Sequence, residues 1–130
     1  MKEIEMFQLE KNEEKLIELL QRFNYLHADA KILTYMLKKK KAISKRIEQD
    51  MDLRQPEVST AVKRLRTQGI IGKTEIHHGK GKGRPTHEYH LKTNSDAVRA
   101  YIIKHADEQI AEKVSWLEEM KSILDEVTKS

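Results

Sequence analysis

The stretch AISKRIEQDMDLRQPEVSTAVKRLRTQGII, residues 42–71, most constrains what this chain can fold into. Ile47 and Met51 are four residues apart, which is the spacing of one face of a short helix. Asp52 follows and tolerates the left-handed backbone of a tight turn, and Pro56 suits the first turn of a next helix. The buried side of that helix is predicted to be Val58, Val62 and Leu65. The stretch therefore predicts a helix-turn-helix whose second helix stops at Gly69.

The side of the second helix that faces away from these aliphatic residues carries no acidic side chain. At about 100° per residue, Thr60 and Lys63 lie opposite Val58. A helix that is only solvated usually mixes charges of both signs on its exposed face, and this remains the alternative interpretation. The face suits a phosphate-lined groove, with its first turn placed to reach base edges. The predicted groove contacts are Arg54, Gln55, Ser59, Thr60, Lys63 and Arg64.

Charge is distributed unevenly along the 130 residues. The net charge is +4, yet residues 38–92 carry fifteen basic and six acidic side chains, and both flanking segments are acidic. A basic centre between acidic flanks is typical of a polyanion-binding unit held between elements with another role. The lysines at 38–41 are predicted to end a helix that begins near Asp29, and a solvated helix end would explain them equally well.

Two short strands are predicted next, over residues 70–78 and 86–91. Their predicted inward residues are Ile76, Tyr89 and Leu91. The glycines of the connecting loop GKGKGRP are not spaced as in a nucleotide-binding loop, so the alternatives are a flexible turn or a DNA-contacting wing. The loop follows a predicted recognition helix, which favours the wing, and GRP resembles the core of an AT-hook for the minor groove. The predicted wing contacts are Lys80, Lys82 and Arg84.

Long helices are predicted on both sides of this region. Apolar residues recur at helical spacing from Ile4 to Phe23, where one helix or a helix interrupted near Asn12 fits the pattern, and again from about Ser95 to Val127. In the last helix the steps alternate between three and four residues, with Lys113 as the one charged intrusion. A domain this small offers no evident internal surface for such a helix, so pairing with a second copy is favoured over folding back. The predicted dimer contacts are Ile103, Ile110, Leu117, Met120 and Leu124.

Composition disfavours several other functions. The chain has no cysteine, which excludes disulfides, thiolate zinc sites and a cysteine nucleophile. No nucleophile, base and orienting residue stand at a recognisable spacing, so neither an enzyme nor a cofactor is expected. Four histidines lie in the predicted hairpin, but neighbouring strand residues point to opposite faces, so no metal site is predicted. These histidines are His77, His78, His87 and His90. The charged start and the lack of a long apolar run predict a cytoplasmic protein with no membrane span.

Residues 27–92 resemble the winged-helix transcription regulators of archaea and bacteria, particularly their MarR-like and TrmB-like DNA-binding domains. The resemblance rests on DLRQPEVSTAVKRLRTQGII and on HHGKGKGRPTHEYHL, with Asp52 where glycine is frequent. It implies a mainly α (α+β) fold, a winged helix-turn-helix with a two-stranded β wing and long flanking helices that dimerise. The implied segments are a dimerising N-terminal helix over 1–26, a DNA-binding domain over 27–92 and a dimerising C-terminal helix over 93–130.

The resulting prediction is a homodimeric transcriptional regulator whose partners are double-stranded DNA and a second copy of itself. A two-fold axis would place the recognition helices about one DNA turn apart, roughly 34 Å, over a pseudo-palindromic site. The alternative is a winged-helix subunit of a larger assembly, whose basic surface meets an acidic protein or RNA. The sequence leaves the operator, the sign of regulation and any small-molecule effector open.

Overall fold

The computed structural model describes residues 7–77 and 85–129. Its elements, in chain order, are α1 (Lys11–Arg22), α2 (His27–Lys39), β1 (Lys41–Ile43), α3 (Ser44–Met51), α4 (Gln55–Thr67), β2 (Ile71–Ile76), β3 (Thr86–Leu91) and α5 (Ser95–Thr128). The chain divides into two compact units, of which the first ends at Ser95 and the second begins at Asp96. This mainly helical architecture with one small sheet confirms the predicted fold class.

Helix α2 lies at the centre of the first unit. It contacts α1, α3, α4 and strands of the sheet, so its apolar side chains are buried around most of its circumference. The buried set on α2 is Ala30, Ile32, Leu33, Tyr35 and Met36. Helix α1 adds Ile17 and Leu20 to this core, and Lys38 at the end of α2 donates to Glu13 Oε1 at 2.9 Å. The predicted role of the N-terminal helix in dimerisation stays a prediction.

The helix-turn-helix is confirmed in α3 and α4. Ile47 and Met51 are buried on α3. Asp52 then adopts the left-handed conformation, with φ 52° and ψ 55°, and the Leu53 amide donates to the Glu48 carbonyl at 3.0 Å. The predicted apolar side of α4, Val58, Val62 and Leu65, is also buried, and Ala61 is buried beside it. A positive φ of 79° at Gly69 turns the chain after α4.

The sheet contains three strands among the described residues, in the order β1-β3-β2, all antiparallel. Tyr89 is buried at the centre of β3, and Ile71 and Leu91 lie on the same face of the sheet. Ile76 pairs with Thr86 and points to the opposite face, so its prediction as an inward residue was wrong. Ile71 lies five residues earlier, so its side chain points to the other face of the sheet, and it is the buried aliphatic residue of β2.

The sequence predicted that α2 ends in the lysines at 38–41, but only Lys38 and Lys39 belong to the helix. The helix ends at Lys39, and Lys40 has a φ of 72° that turns the chain out of the helix. Lys41 opens β1 and pairs with His90, while the Lys40 carbonyl accepts from the Leu91 amide at 3.0 Å. The sequence did not predict this third strand, because its three residues carry no alternating pattern.

Helix α1 begins later than predicted. The Glu10 amide donates to Glu13 Oε1 at 2.7 Å, which fixes the helix start at Lys11. This backbone hydrogen bond and the nearby Lys38 ammonium lower the pKa of the Glu13 carboxyl. Phe7 lies outside the helix and packs against the Tyr35 ring at a centroid distance of 5.1 Å. The first residues of the predicted helix, 4–6, lie outside the described residues.

Helix α5 confirms the long C-terminal helix and runs without a break over 34 residues. Within the described parts of the chain, no helix combines the length and apolar character needed to cross a membrane.

Candidate nucleic-acid interface

Helix α4 has one buried and one exposed side. Val58 and Leu65 have no solvent exposure, which anchors the helix on the first unit. Five of the six predicted groove contacts are exposed: Ser59, Thr60 and Lys63 on the opposite side, and Arg54 and Gln55 at the start of the helix. The arrangement gives the helix a polar surface with an excess of positive charge.

The start of α4 presents a positively polarised helix end. The Arg54 amide donates to Glu57 Oε1 at 3.0 Å, so the one acidic side chain of the first turn serves as a cap. The helix dipole favours anions at this end, and Arg54 adds a full positive charge there. Gln55, in the first turn, carries both a donor and an acceptor in an exposed position.

The threonines of the exposed side are partly engaged by the helix itself. The Thr60 hydroxyl donates to the Pro56 carbonyl at 2.8 Å, and the Thr67 hydroxyl donates to the Lys63 carbonyl at 3.0 Å. Thr60 therefore offers a ligand its methyl group and an acceptor lone pair. Its prediction as a groove contact stays a prediction, restricted to those two kinds of contact.

Arg64 holds α4 against α2. Its Nη2 lies 2.6 Å from Asp29 Oδ1, and its Nε lies 2.9 Å from Asp29 Oδ2, which makes a bidentate ion pair. The Asp29 side chain is only 6% exposed and that of Arg64 is 38% exposed. The hydrogen bonds with Asp29 raise the pKa of the Arg64 guanidinium. The predicted DNA contact of Arg64 remains untested, with two nitrogen donors already committed to Asp29.

Arg66 is a basic residue of α4 that the sequence interpretation omitted. It is exposed and lies about 20° from Ser59 around the helix, at the edge of the polar side. The same rotation of about 100° per residue that selected Lys63 would have found it. Lys73 on β2 is exposed as well, and only the strand register shows on which face of the sheet it lies.

The hairpin of β2 and β3 follows α4 directly, as predicted for a wing. Its described strands pair from Ile71 with Leu91 up to Ile76 with Thr86. The tip residues Lys80, Lys82 and Arg84 lie outside the described residues. At the base, the His90 ring lies over Gly72, where an added Cβ would be 2.5 Å from His90 Nε2. A side chain at 72 would therefore require the His90 ring to move.

The hairpin histidines make ordinary contacts where they are described. His87 Nε2 is 3.7 Å from Glu75 Oε1 on the neighbouring strand. Over residues 7–77 and 85–129, no three side chains of metal-binding type come together. His78 lies outside the described residues.

A buried phenol connects α2 with α3 behind the interface. The Tyr35 hydroxyl donates to Asp50 Oδ2 at 2.6 Å, and the Arg46 guanidinium lies 3.5 Å from the same oxygen. Burial and the hydrogen bond to Asp50 raise the pKa of Tyr35. This bond fixes α3, the first helix of the helix-turn-helix, on the core.

The predicted dimer contacts all lie on α5 and are exposed. They are Ile103 (45%), Ile110 (50%), Leu117 (43%), Met120 (52%) and Leu124 (51%). Their role in dimerisation stays a prediction.

Sequence comparison finds no matching family model and no significantly similar curated protein. Solved structures do resemble the chain. A possible transcriptional regulator from Methanosarcina mazei is 18% identical, with a TM-score of 0.59 over 82% of this chain and 86% of its own. The archaeal chromatin protein TrmBL2, described as showing a novel mode of DNA binding, is 17% identical with a TM-score of 0.58. The match covers 88% of this chain and 41% of TrmBL2.

A third similar structure is NadR in complex with 4-hydroxyphenylacetate, which is 14% identical with a TM-score of 0.51 over 89% of this chain and 81% of its own. At such identities the likeness concerns the fold. The chain has the winged-helix fold found in transcriptional regulators of the MarR-like and TrmB-like type.

Proposed function

We propose that this protein is a homodimeric transcriptional regulator that binds double-stranded DNA through α4 and the hairpin that follows it. One observation carries the proposal. Helix α4 is anchored by a fully buried apolar side and by the Arg64–Asp29 ion pair, while its solvent side carries exposed basic and amide groups. A rigid helix with such a polar side fits the major groove of B-DNA.

The charge distribution and the structural likenesses support this proposal. Residues 38–92, which include α4 and the hairpin, hold the basic excess of the chain. The similar structures include regulators and a DNA-binding chromatin protein. The same fold also serves in protein assemblies, so the DNA partner rests on the chemistry of the α4 surface.

The proposed mechanism is electrostatic capture followed by helix insertion. Lys63 and the wing residues Lys80, Lys82 and Arg84 neutralise phosphates, which releases counterions and sets the register on the duplex. Gln55 and Arg54, at the first turn of α4, then reach base edges. A glutamine amide recognises adenine by two hydrogen bonds, and an arginine recognises guanine in the same way.

The proposed dimer forms through the apolar side of α5. Two recognition helices related by a two-fold axis would read a pseudo-palindromic site with half-sites separated by one DNA turn of about 34 Å, or by a multiple of it. Bivalent binding raises affinity by about 10²–10⁴ over a single domain, because the second contact becomes intramolecular.

The test is the salt dependence of binding to a duplex of fixed length. The Lys63→Ala and Lys82→Ala variants should each reduce the slope of log affinity against log salt by about two units for the bound dimer, because each removes one phosphate contact from each of the two subunits. Lys15→Ala is the matched control, since Lys15 on α1 pairs with Glu18 and the change in net charge is identical. Slopes unchanged in both variants would contradict the proposal, and stronger binding to RNA than to duplex DNA would favour the assembly-subunit alternative.

A further inference from the structure

Helix α5 exposes apolar side chains along its C-terminal half. Eight of them between residues 110 and 127 are between 43% and 64% exposed: Ile110, Val114, Trp116, Leu117, Met120, Ile123, Leu124 and Val127. Nearer its start, Ile103 is also exposed (45%), while its neighbours Ile102 and Ala106 are half-buried. An exposed apolar surface of this extent is typical of an interaction site. We therefore expect a partner to contact residues 110–127 rather than the whole length of α5.

We propose that this surface pairs with the same surface of a second copy in antiparallel orientation, with the two-fold axis between Glu118 and Glu119. The inference rests on the proposed homodimer and adds its orientation and its register. The two possible orientations bring different side chains together.

The apolar surface is three heptad positions wide. A central seam alternates steps of three and four residues, and its members are Ile110, Lys113, Leu117, Met120, Leu124 and Val127. Trp116 and Ile123 form a parallel row seven residues apart on one side of the seam. The other side carries Val114 and then the polar residues Lys121 and Thr128 at equivalent spacing, so this row is polar from residue 121 onwards. Over residues 116–128 the two sides of the seam therefore differ in polarity, which allows the two orientations to be distinguished.

A parallel, in-register pair brings unlike groups together along this surface. Each seam residue would meet its own copy, so two Lys113 ammonium groups would share one layer, and like charges in a seam are destabilising. The apolar row of one helix would lie beside the polar row of the other. Trp116 would flank Lys121 of the partner copy, which leaves much of the indole in water.

An antiparallel pair matches the two surfaces. With the axis between residues 118 and 119, the layers combine Leu117 with Met120 and Ile110 with Val127. The row beside the seam then pairs with itself, so that Trp116 packs against Ile123 of the partner copy. Every apolar side chain of the seam and of this row faces an apolar side chain, apart from Leu124.

Leu124 faces Lys113 in this arrangement. The lysine stem can cover the leucine while its ammonium group extends to the edge of the pair. The two Lys113 residues are then roughly 16 Å apart along the helix axes at 1.5 Å per residue. A shift of the axis to Ser115 would bring them within roughly 6 Å and would place the half-buried Ala106 in the seam. Both effects favour the axis between 118 and 119.

The arrangement separates the two ends at which the winged-helix units join α5. Ser95 is the first residue of α5, and two copies of it would be about 70 Å apart along the helix axes. This length corresponds to about two turns of B-DNA.

Spin-label distances in the full-length dimer test orientation and register together. The chain has no cysteine, so a single introduced cysteine is labelled selectively. Three variants, Ser115→Cys, Ser122→Cys and Glu108→Cys, place labels on one exposed outer row of α5 at seven-residue steps. For the proposed pair, the axial separations are roughly 10 Å for Ser115, the same for Ser122, and roughly 32 Å for Glu108. We expect equal distances for the two serine positions and a clearly longer one for position 108.

Other outcomes contradict defined parts of the proposal. Three equal distances would show a parallel pair and overturn the orientation. Equal distances at 108 and 122 with a shorter one at 115 would move the axis to Ser115 and overturn the register. A monomer by sedimentation at the labelling concentration would overturn the dimer on which the inference rests. DNA binding by α4 is read separately from the salt slope of the Lys63→Ala variant.

Discussion

Helices α4 and α5 both present one side to solvent, but the chemistry of those sides is opposite. Helix α4 buries its aliphatic residues on its own unit and exposes basic and amide groups, with Lys63 near the centre. Helix α5 exposes Leu117, Met120 and Leu124. The comparison teaches that exposure alone does not identify a partner. A cationic side suits a solvated polyanion, and an apolar side suits a surface that can exclude water.

The Leu117→Asp variant should produce the largest effect. It places a carboxylate in the α5 seam of each copy, and burying unpaired charge is costly. We expect the dimer dissociation constant to rise by at least about 100-fold, which is about 2.7 kcal/mol. Sedimentation measures the change, and the affinity for a two-site duplex should fall with it.

Ser115→Asp is the matched control for this variant, since it adds the same charge on the outer side of the same helix. Equal dissociation constants for the two variants would show that the apolar side of α5 is not the subunit contact.

The next largest effect concerns how α4 is held in place. Arg64→Ala leaves the buried Asp29 carboxylate without its partner and should lower the free energy of unfolding by about 2–3 kcal/mol. Asp29→Ala should cost less, about 1–2 kcal/mol, because the freed guanidinium is at the surface and can be solvated. Urea unfolding measures both, and Lys63→Ala should change stability by less than about 0.5 kcal/mol.

DNA binding by the same variants sharpens the contrast between Arg64 and Lys63. If Arg64 mainly orients α4, its alanine variant should weaken binding while changing the salt slope by less than about half a unit. A loss of about two units for the bound dimer, equal to that of Lys63→Ala, would instead make Arg64 a phosphate contact.

The smallest effect is a pH dependence within the core. Burial and Asp50 raise the pKa of Tyr35 above its ordinary value of 10.0, so the folded state holds the phenolic proton more tightly than the unfolded chain. The resulting stabilisation is complete below pH 10 and is lost as the pH rises above it. Tyr35→Phe should cost about 1 kcal/mol at pH 7 and show a shallower decline between pH 9 and pH 11.

Unfolding in urea at pH 7, 9, 10 and 11 follows this difference, with Tyr101→Phe on α5 as the control. Parallel declines in the wild type and in Tyr35→Phe would contradict the role assigned to Tyr35.

The sequence predicted the elements whose signal is local. The spacing of Val58, Val62 and Leu65 located α4, and Asp52 and Gly69 marked the turns on either side of it. What it missed depends on contacts between distant segments. Strand β1 forms because Lys41 pairs with His90. Ile76 was assigned to the wrong face of the sheet, because the face depends on the pairing of β2 with β3, which no local pattern determines.

The candidate site shows the same division. Helical rotation placed Ser59, Thr60 and Lys63 on the solvent side, because one period determines all three positions. The same pattern assigned Arg64 to the groove, although its guanidinium meets Asp29, 35 residues earlier in the chain. Only the packing of α2 against α4 shows this partner, so a basic residue at the edge of a polar side cannot be assigned from periodicity alone.

Selection of bound fragments from random duplex DNA, performed with the wild type and with Gln55→Ala, tests the central claim that α4 reads DNA. The account predicts a two-fold symmetric motif with half-sites spaced by whole helical turns, and a loss of preference at the same base in both half-sites of the variant. Fragments without a common motif, or an identical motif for both proteins, would contradict the assignment of α4 as the recognition helix.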